Sequence, residues 1–160
     1  NMLQSICSNS VAWELLDKGQ SEQSFWWSHS ATGLDLKCRC DKINGDTIVD
    51  LKTTGEGGAS PESFTKTITN FNYHLQAAHY LQGTNCKKFV FVVIEKVFPF
   101  NIGVYELDDE FLDLGYEIQE QALLKIFEAN QSGKWLGYTD TEPNGIQTLG
   151  KPYWLGNNYD

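Results

Sequence analysis

The chain has 160 residues, 41% hydrophobic, 13% aromatic and 21% charged, with a net charge of −9. Five Trp, seven Tyr and nine Phe exclude a disordered chain, and the longest apolar run, Phe89 to Ile94, is far short of the roughly 18 residues of a membrane helix. The acid excess also excludes nucleic-acid binding through the overall field, because phosphate neutralisation needs Lys and Arg; such a function must rest on a local site with a metal ion.

The length fits a single domain over residues 1–160, with no repeat and no linker to divide it. No basic, then apolar, then small-residue leader opens the chain, so a cytoplasmic protein with no membrane association is expected. Cys7, Cys38, Cys40 and Cys86 form no C-x-x-C pair and no zinc spacing with His, and they read as reduced thiols.

In chain order, Asn9 to Lys18 predicts a short helix stopped by Gly19. Strands are expected over Ser24–Ser28, Gly33–Ile43 and Thr47–Thr53, followed by a flexible loop at 55–60. Ser60-Pro61 opens a helix, with Ser as N-cap and Pro in the first turn. A second helix runs from about Asn72 to Gln82 and stops at Gly83. Lys88 to Lys96 is a continuous apolar strand buried on both faces, and Asn101 to Leu107 is its hairpin partner. Asp108 caps a long helix ending near Asn130, and an aromatic tail containing Trp135, Tyr138, Tyr153 and Trp154 follows as irregular structure. This order gives an α/β (α+β) fold, a central sheet with helices on its sides.

Residues 34–41 alternate strictly, with Leu34, Leu36, Cys38 and Cys40 on one face and Asp35, Lys37, Arg39 and Asp41 on the other. Asn44-Gly45 is a strong hairpin signal. A type I′ turn there would pair Ile43 with Asp46, Asp41 with Ile48 and Arg39 with Asp50. Asp41, Asp50 and Lys52 would then share a face, the two carboxylates about 7–8 Å apart. Two such carboxylates bind a hard divalent cation, and Lys52 beside them suits metal-assisted phosphodiester hydrolysis. The other reading is a solvated face of ion pairs, with Arg39 matched to Asp50.

Tyr73, Gln76 and Tyr80 fall on one side of the second predicted helix, either as ligand contacts or as an aromatic packing stripe. His74 and His79 diverge by about 140° on that helix, so they do not share a metal and read as surface or supporting groups.

Asp41, then Asp50-Leu51-Lys52-Thr53, then Gln76-Ala77-Ala78-His79-Tyr80 resembles the PD-(D/E)XK nuclease pattern. More narrowly it is similar to the RecB-like branch and, within it, to phage and prophage exonucleases of the RecE (exonuclease VIII) type. Thr32-Gly33-Leu34 before Lys37-Cys38-Arg39-Cys40-Asp41, and Gly133 to Tyr138 near the end, carry the resemblance across most of the chain.

The resemblance implies a restriction-endonuclease-like core, a four- to five-stranded mixed sheet flanked by helices. Asp41, Asp50 and the Leu51 carbonyl would ligate Mg²⁺, with Mn²⁺ as a substitute, and Lys52 would be the catalytic lysine. Gln76 and Tyr80 would support the site or contact DNA. Lys37, Arg39, Thr53 and Tyr73 would contact DNA, with His74 a further candidate. The implied activity is 5′ to 3′ digestion of one strand from duplex ends in recombination, beside a RecT-like single-strand annealing protein and in a homo-oligomeric ring.

Family members carry a further N-terminal segment that supplies a His or an acidic residue to the site. About 20 residues precede Glu22 here and none is His, so the resemblance implies a fragment, a group supplied by another subunit, or a dispensable group. Glu22 is a substitute ligand or, as the more favoured reading, a structural or DNA-end contact. An endonuclease on the same fold, or a DNA- or protein-binding module with an incomplete site, remain as alternatives.

Overall fold

Short polar residues punctuate this chain, and the elements begin and end on them. The structure, a computed structural model, describes residues 1–140 and 142–152. Two compact units divide it, Asn1–Leu124 and Lys125–Asp160.

The first unit opens with two short helices, α1 (Met2–Ser8) and α2 (Ser10–Asp17). Asn1 caps α1 by accepting from the Gln4 amide, and Asn9 ends α1 and caps α2 by accepting from Ala12 N at 3.0 Å. Helix α1 was not expected from the sequence, because it has no buried residue and so no periodic apolar face to reveal it.

Strands β1 (Gln20–Ser28), β2 (Asp35–Asn44) and β3 (Thr47–Thr54) follow. Helix α3 (Pro61–Phe71) starts at Ser60, whose hydroxyl accepts from Ser63 N, and ends at Asn72, whose φ of 54° lies in the left-handed region. Asn tolerates that conformation, and the break it makes starts α4 (Tyr73–Gly83) in a new direction. Strands β4 (Lys88–Glu95) and β5 (Ile102–Glu106) come next, and Asp108 caps α5 (Asp109–Ser132) by accepting from Phe111 N at 2.9 Å.

The five strands form one mixed sheet in the order β1-β2-β3-β4-β5, antiparallel except for the parallel β3–β4 pair. This is the α/β (α+β) fold expected, a mixed sheet flanked by helices, with the fifth strand present. The main core lies on one face, where Cys38, Cys40, Ile48, Phe89, Phe91 and Val93 pack beneath Phe64, Ile68 and Ala77 of α3 and α4. Each large apolar side chain buried there contributes about 1.5–3 kcal/mol. On the other face Ala12, Leu15 and Leu16 of α2 cover Val49 and Val92. Strand β4 is buried on both faces from Phe89 to Glu95. Gly115 lets α5 lie against α4, since a Cβ there would stand 2.4 Å from His74 O.

In the second unit no helix or strand follows α5 among the described residues, and Gly137 N donates to Asp140 Oδ2 at 2.7 Å in a local turn. Tyr153 and Trp154 of the predicted aromatic tail lie outside the described residues. Among the described residues no helix is long and apolar enough to cross a membrane.

Candidate active site

The β2–β3 turn is not where the sequence placed it. Asn44 pairs with Thr47 and Ile43 with Ile48, so Gly45 and Asp46 form the loop and every rung is displaced by two residues. Gly45 has a φ of 63° and Asp46 is not in the left-handed region, as a type II′ turn requires. Asn44 is spent elsewhere: its amide donates to Glu14 O at 2.9 Å and Leu15 O at 3.4 Å, satisfying carbonyls near the end of α2. Asp46 is tied to the start of β4, its carbonyl accepting from Lys87 N at 2.7 Å.

The displacement has a functional consequence. The β2–β3 ladder ends at Lys42–Val49, after three rungs. Cys40 and Ile43 both face the main core although an odd number of steps separates them, so the pleat of β2 breaks around Asp41. Beyond that break β3 keeps β4 on one side and has no strand on the other. The Leu51 amide donates to Asp41 Oδ2 at 3.1 Å in place of a ladder bond. The N–H and C=O of a strand residue point the same way, so the Leu51 carbonyl also faces this opening.

Asp50 stands on the core side of the same opening, 3% exposed. Its carboxylate belongs to a closed triangle. Gln76 Nε2 donates to Asp50 Oδ1 at 2.6 Å, Lys52 Nζ donates to Gln76 Oε1 at 3.0 Å, and Lys52 Nζ lies 2.7 Å from Asp50 Oδ2. An amide side chain suits this place because it donates to the carboxylate with one atom and accepts from the ammonium with another. The break at Asn72 and one turn of α4 bring Gln76 over β3. Tyr73, at the start of α4, lays its ring 4.4 Å from Lys52 Nζ and stacks on Phe91 at 5.9 Å.

Burial pushes the Asp50 carboxyl above the usual carboxylate range, and the nearby Asp41 charge adds to the rise; Lys52 and Gln76 oppose it. Tyr80 is also raised, first by burial and then by the Asp50 charge. Beneath it Cys40 is pushed up to about 12, mainly by burial, so it is a neutral thiol in the core.

The expected site residues separate into two groups. Asp41, Asp50, Leu51, Lys52, Gln76 and Tyr80 meet around the opening, with Tyr73 as a buttress for Lys52. The others lie elsewhere. Arg39 does not pair with Asp50: its Nε is 2.6 Å from Glu22 Oε2, because β1 supplies Glu22 on the neighbouring strand. Glu22, with a φ of 56°, occupies the missing β1–β2 rung opposite Asp41 and turns its carboxylate to that Arg. Thr53 is exposed on the β3 face opposite Lys52. His74 is not a surface group: it is 2% exposed, turned to Phe111 of α5 at 5.9 Å, and not brought to the carboxylates. Lys37 is exposed on β2, and its carbonyl meets His79 Nε2 at 3.1 Å. Trp26 was not singled out in the sequence, yet it is 73% exposed beside Lys37. The signal was there in Trp26-Trp27, since adjacent strand residues must point to opposite faces.

The donors around the opening suit a hard divalent cation. They are all oxygen: two carboxylates and a backbone carbonyl. Asp50 Oδ2 is buried and meets Lys52 Nζ at 2.7 Å as an ion pair, with no further donor on it. A buried carboxylate oxygen in that state has capacity left for a cation. Among the described residues no group of three or more His, Cys, Asp or Glu side chains could hold a metal.

A family profile described as a PDDEXK-like domain of unknown function (DUF3799) matches residues 1–141. No curated protein matches. Among solved structures, a candidate exonuclease from Eubacterium rectale superposes with a TM-score of 0.68 at 16% identity, over 94% of this chain and 60% of that one. An alkaline exonuclease from Laribacter hongkongensis gives a TM-score of 0.46 at 14% identity, over 81% and 69% of the two chains. At 16% identity the likeness to the Eubacterium protein is one of fold, and this chain spans about 60% of that protein's length.

Proposed function

The chain belongs to the PDDEXK-like family of unknown function DUF3799, and from that premise we propose that it is a Mg²⁺-dependent deoxyribonuclease. Its finer type is the RecE (exonuclease VIII) kind, degrading one strand of duplex DNA 5′ to 3′ from an end. The observation that carries this reading is the Asp50–Lys52–Gln76 triangle beside Asp41, at the opening where β2 leaves β3.

Asp41, Asp50 and the Leu51 carbonyl would hold Mg²⁺ or Mn²⁺. The bound cation supplies a lowered pKa for water and stabilises charge on a phosphoryl oxygen. The protein's own contribution is positioning and charge. Gln76 fixes the Asp50 carboxylate, and Asp41 is fixed by the Leu51 amide. Gln76 Oε1 and the Tyr73 face hold the Lys52 ammonium beside the carboxylates, where it orients the attacking water or stabilises transition-state charge. Tyr80, kept a neutral phenol by burial, offers a hydrogen bond to the substrate or to Gln76.

The proposed nuclease domain takes in residues 1–160. A RecT-like annealing protein as partner, a homo-oligomeric ring and a role in phage or prophage recombination complete the reading. Four free thiols fit the cytoplasm of a bacterial or phage-infected cell.

The test is cleavage of end-labelled linear duplex and of closed circular DNA, with Mg²⁺ and with chelator. Metal-dependent loss of the linear substrate alone is the expected result. Cutting of the circle would make it an endonuclease. Bound Mg²⁺ without cutting of either would leave a binding module, a reading favoured by the lack of a third acidic or His side chain among the described residues at the site.

A further inference from the structure

Past the last β2–β3 rung, β1 and β2 continue as a two-stranded wing without β3 beside them. One face of the wing packs on the core through Phe25, Trp27 and Cys38. The other face is uncovered. There Trp26 lies directly opposite Lys37, and Ser24 directly opposite Arg39. A groove of about 380 Å³ is lined by Ser24, Trp26, Lys37, Cys38, Arg39 and Tyr80.

We propose that this groove is a track for single-stranded DNA, in which a base stacks on Trp26 while Lys37 and Arg39 hold phosphates. The inference rests on the nuclease reading and names the form of DNA its site passes along the wing. Three observations carry it. Two cations and no carboxylate line the groove, on a chain whose net charge is −9. An indole 73% exposed presents a flat face that costs nothing to uncover, and an unpaired base can stack on it, whereas bases inside a duplex are already stacked on both faces. The groove also leads to the site. Arg39 and Lys37 precede Asp41 by two and four residues on one strand, about 7 and 13 Å along it, and Tyr80 lines the groove while standing one helical turn from Gln76.

Arg39 is held by Glu22 at 2.6 Å, but both side chains are largely exposed, at 65% and 59%. An exposed pair of this kind contributes little and is readily exchanged for a phosphate. The opposite end of the wing carries Asp35, whose carboxylate accepts from Ser28 Oγ at 2.9 Å, so the cationic stretch is bounded there.

The test is fluorescence anisotropy of a labelled single-stranded oligonucleotide and of a blunt duplex, in chelator to prevent cleavage. Trp26→Ala should weaken single-strand binding about tenfold and duplex binding less than about twofold, and Trp26→Phe should restore most of the loss, as a stacking contact requires. Lys37→Ala should reduce the slope of log K against log salt by about 0.7, whereas Trp26→Ala leaves that slope unchanged. An unchanged single-strand affinity in Trp26→Ala, an equal loss on duplex, or no rescue by Phe would overturn the track. If the protein still degrades linear DNA in that event, only the track falls. If the unmodified protein neither binds single strands nor cuts DNA, the nuclease reading falls with it.

Discussion

Two buried carboxylates sit on neighbouring strands, Asp50 on β3 and Glu95 on β4, at 3% and 2% exposure. Their surroundings differ. Glu95 accepts from Ala59 N at 3.4 Å and from Asn101 Nδ2 at 3.0 Å, both neutral donors, and it ties the loop after β3 to the β4–β5 connection. Asp50 meets a Lys ammonium and a Gln amide, stands near the charge of Asp41, and has one oxygen whose single partner is the Lys52 ammonium at 2.7 Å. Burial by itself therefore marks neither group as functional. The difference lies in whether the partners complete the carboxylate, as they do for Glu95, or leave it capacity for a cation, as they do for Asp50.

The largest expected effect separates the two directly. Asp50→Ala should abolish both Mg²⁺ binding by calorimetry and DNA cleavage. Glu95→Gln should leave cleavage within about twofold and lower stability by about 1 kcal/mol, the scale of one hydrogen bond. Cleavage by Asp50→Ala at the normal rate would end the comparison.

Lys52→Ala should come next, keeping metal binding and slowing cleavage at least about tenfold, equivalent to about 1.4 kcal/mol of barrier. Gln76→Glu should follow. It keeps the acceptor for Lys52 but turns the donor to Asp50 into a like charge, so single-turnover rates should fall several-fold, equivalent to about 1 kcal/mol of barrier. Equal rates for Gln76→Glu and the unmodified protein would show that the amide donor to Asp50 is idle.

The smallest effect concerns stability without metal. The Asp50 carboxyl is raised in the folded state, so folding favours its protonated form. Its contribution is complete below the ordinary carboxylate pKa of about 3.9 and is lost as pH rises through the raised value. In chelator, Asp50→Asn should remove that loss and be the more stable form at neutral pH, as read by urea denaturation across the acid-to-neutral range. Added Mg²⁺ should stabilise the unmodified protein and leave Asp50→Asn unchanged.

Much of the site was legible because its signals are local. Asp50-x-Lys52 on a strand and Gln76-x-x-x-Tyr80 on a helix depend on periods of 2 and 3.6, which neighbouring residues set. The Ser60 cap, the Asn72 break and the Asp108 cap follow equally from short-range chemistry. The hairpin register did not. Asn44-Gly45 fits a type I′ turn locally, but the Asn44 amide has a better use on the carbonyls of Glu14 and Leu15, some 30 residues away in the chain. The partner of Arg39 was missed for a similar reason. Cross-strand pairing with β1 decides it, and β1 was expected to start only after Glu22.

Residue order alone placed Asp41, Asp50 and Lys52 on strands and Gln76 and Tyr80 on a helix, because helix and strand periods act within a few residues. It also settled that the chain would fold around a sheet, since its apolar runs have strand length and its amphipathic runs have helix length. Packing settled where β2 stops pairing with β3, and so where Asp41 and Leu51 are left without a ladder. It settled that Lys52 meets Gln76, and that His74 turns to α5 and away from the carboxylates. These outcomes depend on competition between distant partners for one hydrogen-bonding group or one patch of core, and no local pattern in the chain encodes who wins.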